Sequence, residues 1–194
     1  MARKGPVTKD TSTIALGLAQ VRIGASSTNI NEIHSVLTSS DSIGALANTK
    51  FVGNTEWFKL ESGFPLIEDY TTPIRESAHL ECAFKEITPA NIALAYGIDP
   101  TSGYDNVHSG EVALGDRSAP DYVRMEAVYT YPNGTNHMYI IFPRAQVSST
   151  VEIDLAAEDA AAVPITIEAK RADSEVEGGS SVWDDKPLGR IAWD

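Results

Sequence analysis

The chain of 194 residues carries 27 acidic and 15 basic side chains, a formal charge of −12 at pH 7. Such a charge disfavours a general affinity for nucleic-acid phosphates or anionic membranes. With 42% hydrophobic residues, the length is typical of one globular domain over 1–194. Residues 1–12 are interpreted as a polar leader to that domain.

The N-terminus has no apolar stretch of the signal-peptide kind, and no window approaches the ~18 apolar residues that a membrane span needs. We therefore expect synthesis in a cytoplasm and no membrane segment. The single cysteine, Cys82, falls on the apolar phase of a predicted strand and is interpreted as a small core residue.

The first part of the chain predicts strands interrupted by one long excursion. Residues 13–23 alternate between apolar and polar positions, with a change of phase near Gly17 that predicts a bulge or break. Residues 24–42 are rich in Ser, Thr and Asn, so we expect an extended loop or arm away from the core. Further short strands, separated by glycine and proline, are expected at 43–52, 55–61 and 66–70.

The centre of the chain predicts a strand that turns directly into a helix. Residues 76–86 alternate strictly, which is typical of a strand with one buried face. A helix over 88–97 follows, because Thr88 is a good N-cap, Pro89 suits the first turn and Gly97 supplies a left-handed stop.

The C-terminal part is again regular and β-like. Residues 132–135 predict a hairpin turn. Strands are expected at 121–131, 137–145, 151–155, 163–171 and 187–193. The sequence therefore predicts a mainly β protein with about nine strands, an antiparallel β-sandwich or partly rolled barrel with one flanking helix.

The search for catalytic chemistry yields nothing specific. There is no glycine-rich phosphate loop, no nucleophile elbow and no paired metal-ligand spacing, so we predict no catalytic residue, no metal and no cofactor. Three tryptophans, Trp57, Trp183 and Trp193, leave open a carbohydrate-binding β-sandwich, although single tryptophans on strands are more often core or interface anchors.

Four phrases, in this order, resemble the tail tube protein (major tail protein) family of tailed bacteriophages. They are SIGAL at 42–46, LESGFP at 60–65, KEITPANIALAYG at 85–97, and FPR at 142–144 followed by PLGRIAW at 187–193. The resemblance spans roughly 40–194. It implies a β-sandwich or partly rolled barrel with a flanking helix, in agreement with the strand count.

The resemblance implies a structural virion protein and not an enzyme. Six copies would close into a ring, and rings would stack into a hollow tube that conducts DNA from the capsid to the host cell. Expected neighbours are other copies of the chain and possibly sheath, baseplate, tape measure and terminator proteins, in the virion tail after assembly in a bacterial cytoplasm. Two alternatives stay open: another ring-forming virion protein, a tail terminator or head decoration protein, and the carbohydrate-binding sandwich.

Two sets of residues are predicted to serve such a tube. The first set consists of acids on the polar phases of the regular strands, which would line the lumen so that DNA does not adhere: Glu81, Glu126, Glu152, Asp154 and Glu168. The second set gives the 24–42 arm the apolar contacts for reaching a neighbouring ring, and we expect this arm to be mobile in the free subunit: Ile30, Ile33, Val36 and Leu37.

Overall fold

The computed structural model describes residue 15 and residues 17–100, 110–112, 114–115, 119–155 and 160–194. The predicted leader, 1–12, lies outside these residues. The strands are β1 Gln20–Ala25, β2 Leu46–Ser62, β3 Ile67–Phe84, β4 Val123–Thr130, β5 His137–Val147, β6 Val163–Ala169 and β7 Arg190–Trp193. The helices are α1 Ser26–Asn29 and α2 Pro89–Ala95, with 3-10 turns at Ser39–Asp41 and Ser181–Trp183.

All seven strands belong to one antiparallel sheet that does not close. The strand order is β1-β4-β5-β6-β3-β2, and β7 pairs with β5 beside this path. Val21 of β1 and Leu80 of β3 nevertheless share one buried cluster, although three strands lie between β1 and β3. A flat sheet cannot bring these residues together, so the sheet rolls over its own core. The predicted mainly β fold, a partly rolled antiparallel sheet with a flanking helix, is confirmed.

Helix α2 begins and ends as its sequence predicts. The Thr88 side chain accepts a hydrogen bond from the Asn91 amide, and Pro89 occupies the first turn. Gly97 follows with φ of +75°, and a Cβ there would lie 2.8 Å from the Val147 carbonyl oxygen. Leu94 and Ala95 are buried in the main core. The helix therefore covers the rolled sheet where the chain leaves β3.

Two of the predicted strand boundaries are wrong. The break predicted at 62–65 is the turn between β2 and β3, but the breaks predicted near Gly53 and Pro73 are absent, so that β2 and β3 run for 17 and 18 residues. Pro73 is accommodated because that part of β3 pairs only with β2, so no second neighbour needs its missing N–H. Residues 151–155 alternate like a strand but pair with no strand among the described residues.

Candidate assembly surface

A long two-stranded hairpin projects from the rolled body. β3 pairs with β6 only over His79–Phe84, so β3 before His79 and the whole of β2 have no second neighbour among the described strands. We call residues 53–78 the hairpin extension, and none of its residues is buried. An isolated hairpin of this kind is marginally stable in water, and its unpaired backbone edges accept further strands.

The hairpin extension exposes an unusual amount of apolar surface. Eight large apolar side chains are exposed there, and the Phe64 side chain at the tip is completely open to solvent. They are Trp57, Phe58, Leu60, Phe64, Leu66, Ile67, Tyr70 and Ile74. Such a concentration of exposed apolar side chains is typical of a protein–protein contact.

The strand register sorts these side chains onto two faces. Leu60 is opposite Tyr70, and Ser62 is opposite Ile67. Side chains two residues apart on a strand share a face, and the register shift after Leu60 brings Ile67 onto the face of Tyr70, so Phe58, Leu60, Tyr70 and Ile67 form one apolar stripe. Trp57, one residue before Phe58 on the same strand, points to the opposite face.

Cross-strand ion pairs interrupt the apolar surface of the hairpin. Lys59 Nζ lies 2.7 Å from a carboxylate oxygen of Glu68, and Arg75 lies 3.7 Å from Glu56. The Lys59 hydrogen bond lowers the pKa of Glu68, and Thr71 adds to this effect. The same contact raises the pKa of Lys59. Both groups are therefore charged over a wide pH range, and the extension is amphipathic.

Two of the predicted lumen acids, Glu81 and Glu168, lie together on the outer face of the sheet. Glu81 accepts a hydrogen bond from Lys50 at 3.0 Å and contacts His79, which is opposite Glu168 in the register. The Lys50 hydrogen bond lowers the pKa of Glu81, and a hydrogen bond from Lys170 lowers the pKa of Glu168. These acids are half-exposed and already paired, so they form a mixed and not a purely negative surface.

Glu126, the third predicted lumen acid, lies in a different environment from the one expected. It was predicted to face solvent on the polar phase of β4, but its side chain is completely buried together with that of Arg124, and Arg124 Nε lies 2.7 Å from Glu126 Oε1. The covering segment is 30–37, whose hydrogen bonds occupy both charged groups. Glu126 accepts from the Ser35 hydroxyl and from the Val36 and Leu37 amides. A charge enclosed in this way cannot line a lumen.

The same contacts correct the expected position of the 24–42 arm. Arg124 donates to the carbonyl oxygens of Asn29, Glu32 and His34 at 2.7 to 2.8 Å, and Trp183 Nε1 donates to that of Ile30 at 2.6 Å. Among the four predicted arm residues, Ile30 and Leu37 are buried against their own subunit, Ile33 is partly buried and Val36 is 38% exposed. The segment is packed onto its own sheet because buried polar groups on β4 satisfy its backbone.

Glu152 and Asp154, the remaining predicted acids, are exposed on the unpaired 151–155 segment. Ile153 and Leu155, which alternate with them, are 42% and 79% exposed. This segment leaves β5 as an extended chain with no described strand beside it. It therefore combines exposed negative charge with exposed apolar side chains.

The three tryptophans do not form one platform. Trp183 is buried in a small cluster with Ile30, Ile141 and Ala172, whereas Trp57 and Trp193 are exposed on β2 and on β7. Cys82 is buried in the main core, and burial raises the pKa of its thiol to about 12. The interpretation of Cys82 as a core residue is therefore confirmed.

Sequence reasoning missed the apolar stripe of the hairpin extension. The missed signal was the alternation of Phe58 and Leu60 with charged residues, which is typical of a strand and carries no mark that its apolar face stays open. The break predicted at Gly63 and Pro65 is the hairpin turn, but the sequence did not indicate that the two long strands on either side of it lack a second neighbour among the described strands.

Among the described residues, no three His, Cys, Asp or Glu side chains are arranged to hold a metal ion. The helices in that part of the chain are all too short and polar to cross a membrane. No protein-family model matches the chain, and no curated protein is similar to it at a significant level, so its function is argued from the exposed hairpin and the open sheet edges.

Proposed function

We propose that this chain is a structural subunit that assembles with copies of itself into hexameric rings, and that the rings stack into the hollow tail tube of a bacteriophage. The observation that carries the proposal is the hairpin extension, with eight exposed large apolar side chains and two unpaired backbone edges. A subunit that stays monomeric has no use for such a surface, and sheet edges of this length favour aggregation unless a partner covers them.

Pairing between copies satisfies both edges at once. The outer edge of β2 in one copy is matched by the free edge of β3, residues 67–78, in the next copy. The two edges differ, so the contact is head-to-tail and continues from copy to copy until the rotation closes a ring. The apolar stripe of Phe58, Leu60, Tyr70 and Ile67 then becomes part of one continuous sheet.

In this proposal the paired hairpins line the bore of the tube. The hairpin extension contains five acidic and two basic residues, so a wall built from it is negative. A negative wall lets DNA pass, because each phosphate bound by Lys or Arg adds a sequence-independent attraction. Salt restricts this repulsion to about 8 to 10 Å, so only acids on the wall itself contribute.

The test is electron microscopy of the purified protein at increasing concentration. We expect hollow rods of stacked rings. Leu60→Ser and Tyr70→Ser in the stripe should prevent rods while leaving the circular dichroism spectrum unchanged. Leu114→Ser, which changes a leucine that is 75% exposed outside the hairpin, is the matched control.

The other outcomes identify the alternatives. Rings or trimers that never stack would indicate a tail terminator or a head decoration protein. A protein that stays monomeric at high concentration would contradict the assembly role altogether. In that case a change in tryptophan fluorescence on addition of glycans would favour a carbohydrate-binding sandwich, since Trp57 and Trp193 are exposed.

A further inference from the structure

A groove beside the edge strand β7 holds an arginine that lacks a full set of partners. Arg190 is partly buried, and its Nε atom is enclosed without a hydrogen-bond partner. The groove is lined by His34 and Ser35 on one side and by Tyr139 and Trp193 on the other. Because Nε itself is enclosed, a carboxylate that enters this groove would bind the terminal nitrogens of the Arg190 guanidinium.

Asp194 also lines the groove, but its carboxylate is already occupied. It accepts hydrogen bonds from the His137 amide at 2.6 Å and from the Tyr139 hydroxyl at 3.0 Å. The His137 amide is the main cause of its lowered pKa. Four residues of extended chain separate it from Arg190, about 13 Å. Asp194 therefore closes one end of the groove and leaves the Arg190 end open.

The 151–155 segment has the chemistry that the groove lacks. In its sequence Glu152 and Asp154 alternate with Ile153 and Leu155, and all four side chains are exposed. Its alternation is that of a strand, yet no described strand pairs with it. β7 pairs with β5 on one side only and has a free edge on the other. An unpaired acidic strand and a free edge with an unsatisfied arginine are complementary.

The two elements lie beside different parts of β5. β7 pairs with Met138–Ile141 near the start of β5, while the chain beyond Val147 continues along β6, where the Thr166 amide donates to the Ser149 hydroxyl. Ile141 and Ser149 are therefore about 25 Å apart along an extended chain. At that separation, and with Val151 packed against the main core, we take the matching groove to belong to another copy.

We propose that residues 151–155 of one copy add as a strand to β7 of the next copy, with Glu152 or Asp154 bound to Arg190. A head-to-tail contact between identical subunits repeats from copy to copy, and one that does not close into a ring produces a stack. This inference rests on the proposed self-assembly and identifies the contact between rings. The hairpin edges form each ring, and the 151–155 segment holds one ring to the next.

Charge reversal tests this contact separately from ring formation. Arg190→Glu, and the double variant Glu152→Arg with Asp154→Arg, should each raise the protein concentration at which rods appear by about tenfold or more, with single rings persisting. The triple variant, which reverses both sides, should restore rods. Lys85→Glu is the matched control for Arg190→Glu, because it makes the same charge change at an exposed position elsewhere. The double variant Glu152→Arg with Asp154→Arg, called the acid variant because it replaces two acids, alters only exposed side chains. It therefore keeps the test valid if Arg190→Glu fails to fold.

The outcomes separate the two proposals. Rods from the wild type and equally good rods from the folded acid variant overturn the 151–155 contact and leave the proposed function standing. Loss of rods in both variants without recovery in the triple variant also contradicts the contact, because a paired charge must be reversible. A wild-type protein that forms no rings or rods at any concentration overturns both proposals.

Discussion

The rolled body and the hairpin extension share one sequence pattern, the alternation of apolar and polar residues, but only the body buries its apolar side chains. In the body, alternating strands turn Leu80, Met125 and Ile167 into a core with essentially no exposed area. In the extension, the same alternation leaves Phe58 and Leu60 about half-exposed. The difference lies in the neighbours of β3. From His79 onward, β3 pairs with β6 and packs across the core against β1 and β4, whereas the part before His79 pairs only with β2 among the described strands.

The alternation of apolar residues therefore indicates a strand with one apolar face. It does not indicate whether that face is covered within the same chain. The body completes its core within one chain. In the proposed assembly, the extension offers its apolar side chains and backbone edges to another copy, so the two regions should respond differently to the same substitution.

The sharpest comparison uses one residue type in the two regions. Phe84 is fully buried and Phe58 is 49% exposed. Phe84→Ala should lower the free energy of unfolding by about 3–5 kcal/mol, because it leaves a cavity in the core. Phe58→Ala should change the free energy by no more than about 0.5 kcal/mol while impairing assembly. Urea unfolding of the dilute subunit and electron microscopy measure the two effects, and equal destabilisation by both variants would contradict the division.

The second prediction concerns the buried ion pair of Arg124 and Glu126 on β4, a polar site in the rolled body. Glu126→Gln leaves the enclosed Arg124 guanidinium without its counter-charge and should cost about 3 kcal/mol, with residues 30–37 becoming accessible to proteases. Replacing both partners, by Arg124→Met with Glu126→Leu, should cost at least as much, because the backbone carbonyl oxygens and amides of 29–37 that the pair satisfies would lose their partners. Protection of 30–37 from proteolysis in Glu126→Gln would show that the pair does not hold the segment.

The cap of α2 provides a smaller and local effect. Thr88→Ala removes the hydrogen bond that the Asn91 amide donates to the threonine side chain, 3.2 Å long, and should cost about 1 kcal/mol. Thr88→Ser keeps an acceptor in place and should stay close to the wild type. Both are measured by urea unfolding, and a Thr88→Ala protein as stable as the wild type would contradict the capping role.

The smallest effect concerns pH and the outer face of the sheet. The Lys50 and Lys170 hydrogen bonds lower the folded-state pKa values of Glu81 and Glu168 below the usual value of 4.5. Their stabilisation is therefore complete above pH 4.5 and is lost as the pH falls through the lower folded-state values. The melting temperature should be insensitive to these groups from pH 5 to 8 and should decline slightly below 4.5. Glu81→Gln should reduce that decline, and an unchanged acid profile would exclude the contribution.

The fold was largely predictable because its signals are local. Thr88, Pro89 and Gly97 bound a helix by their own backbone chemistry, and the alternation around Cys82 marks a strand with a buried face. The assembly surface was not predictable in the same way. Nothing local to Phe58 and Leu60 distinguishes a strand that is buried in its own chain from one that is left open for another.

The sequence by itself determined the class of the protein: an acidic, mainly β chain with one capped helix and a hairpin turn after β4. Which side chains are buried became clear from the tertiary structure alone. Glu126 has the local pattern of an exposed acid, yet the 30–37 segment covers it, and Arg124 with three groups of that segment occupies its carboxylate. The physical reason is that burial depends on residues about ninety positions away in the chain, and local periodicity carries no information about them.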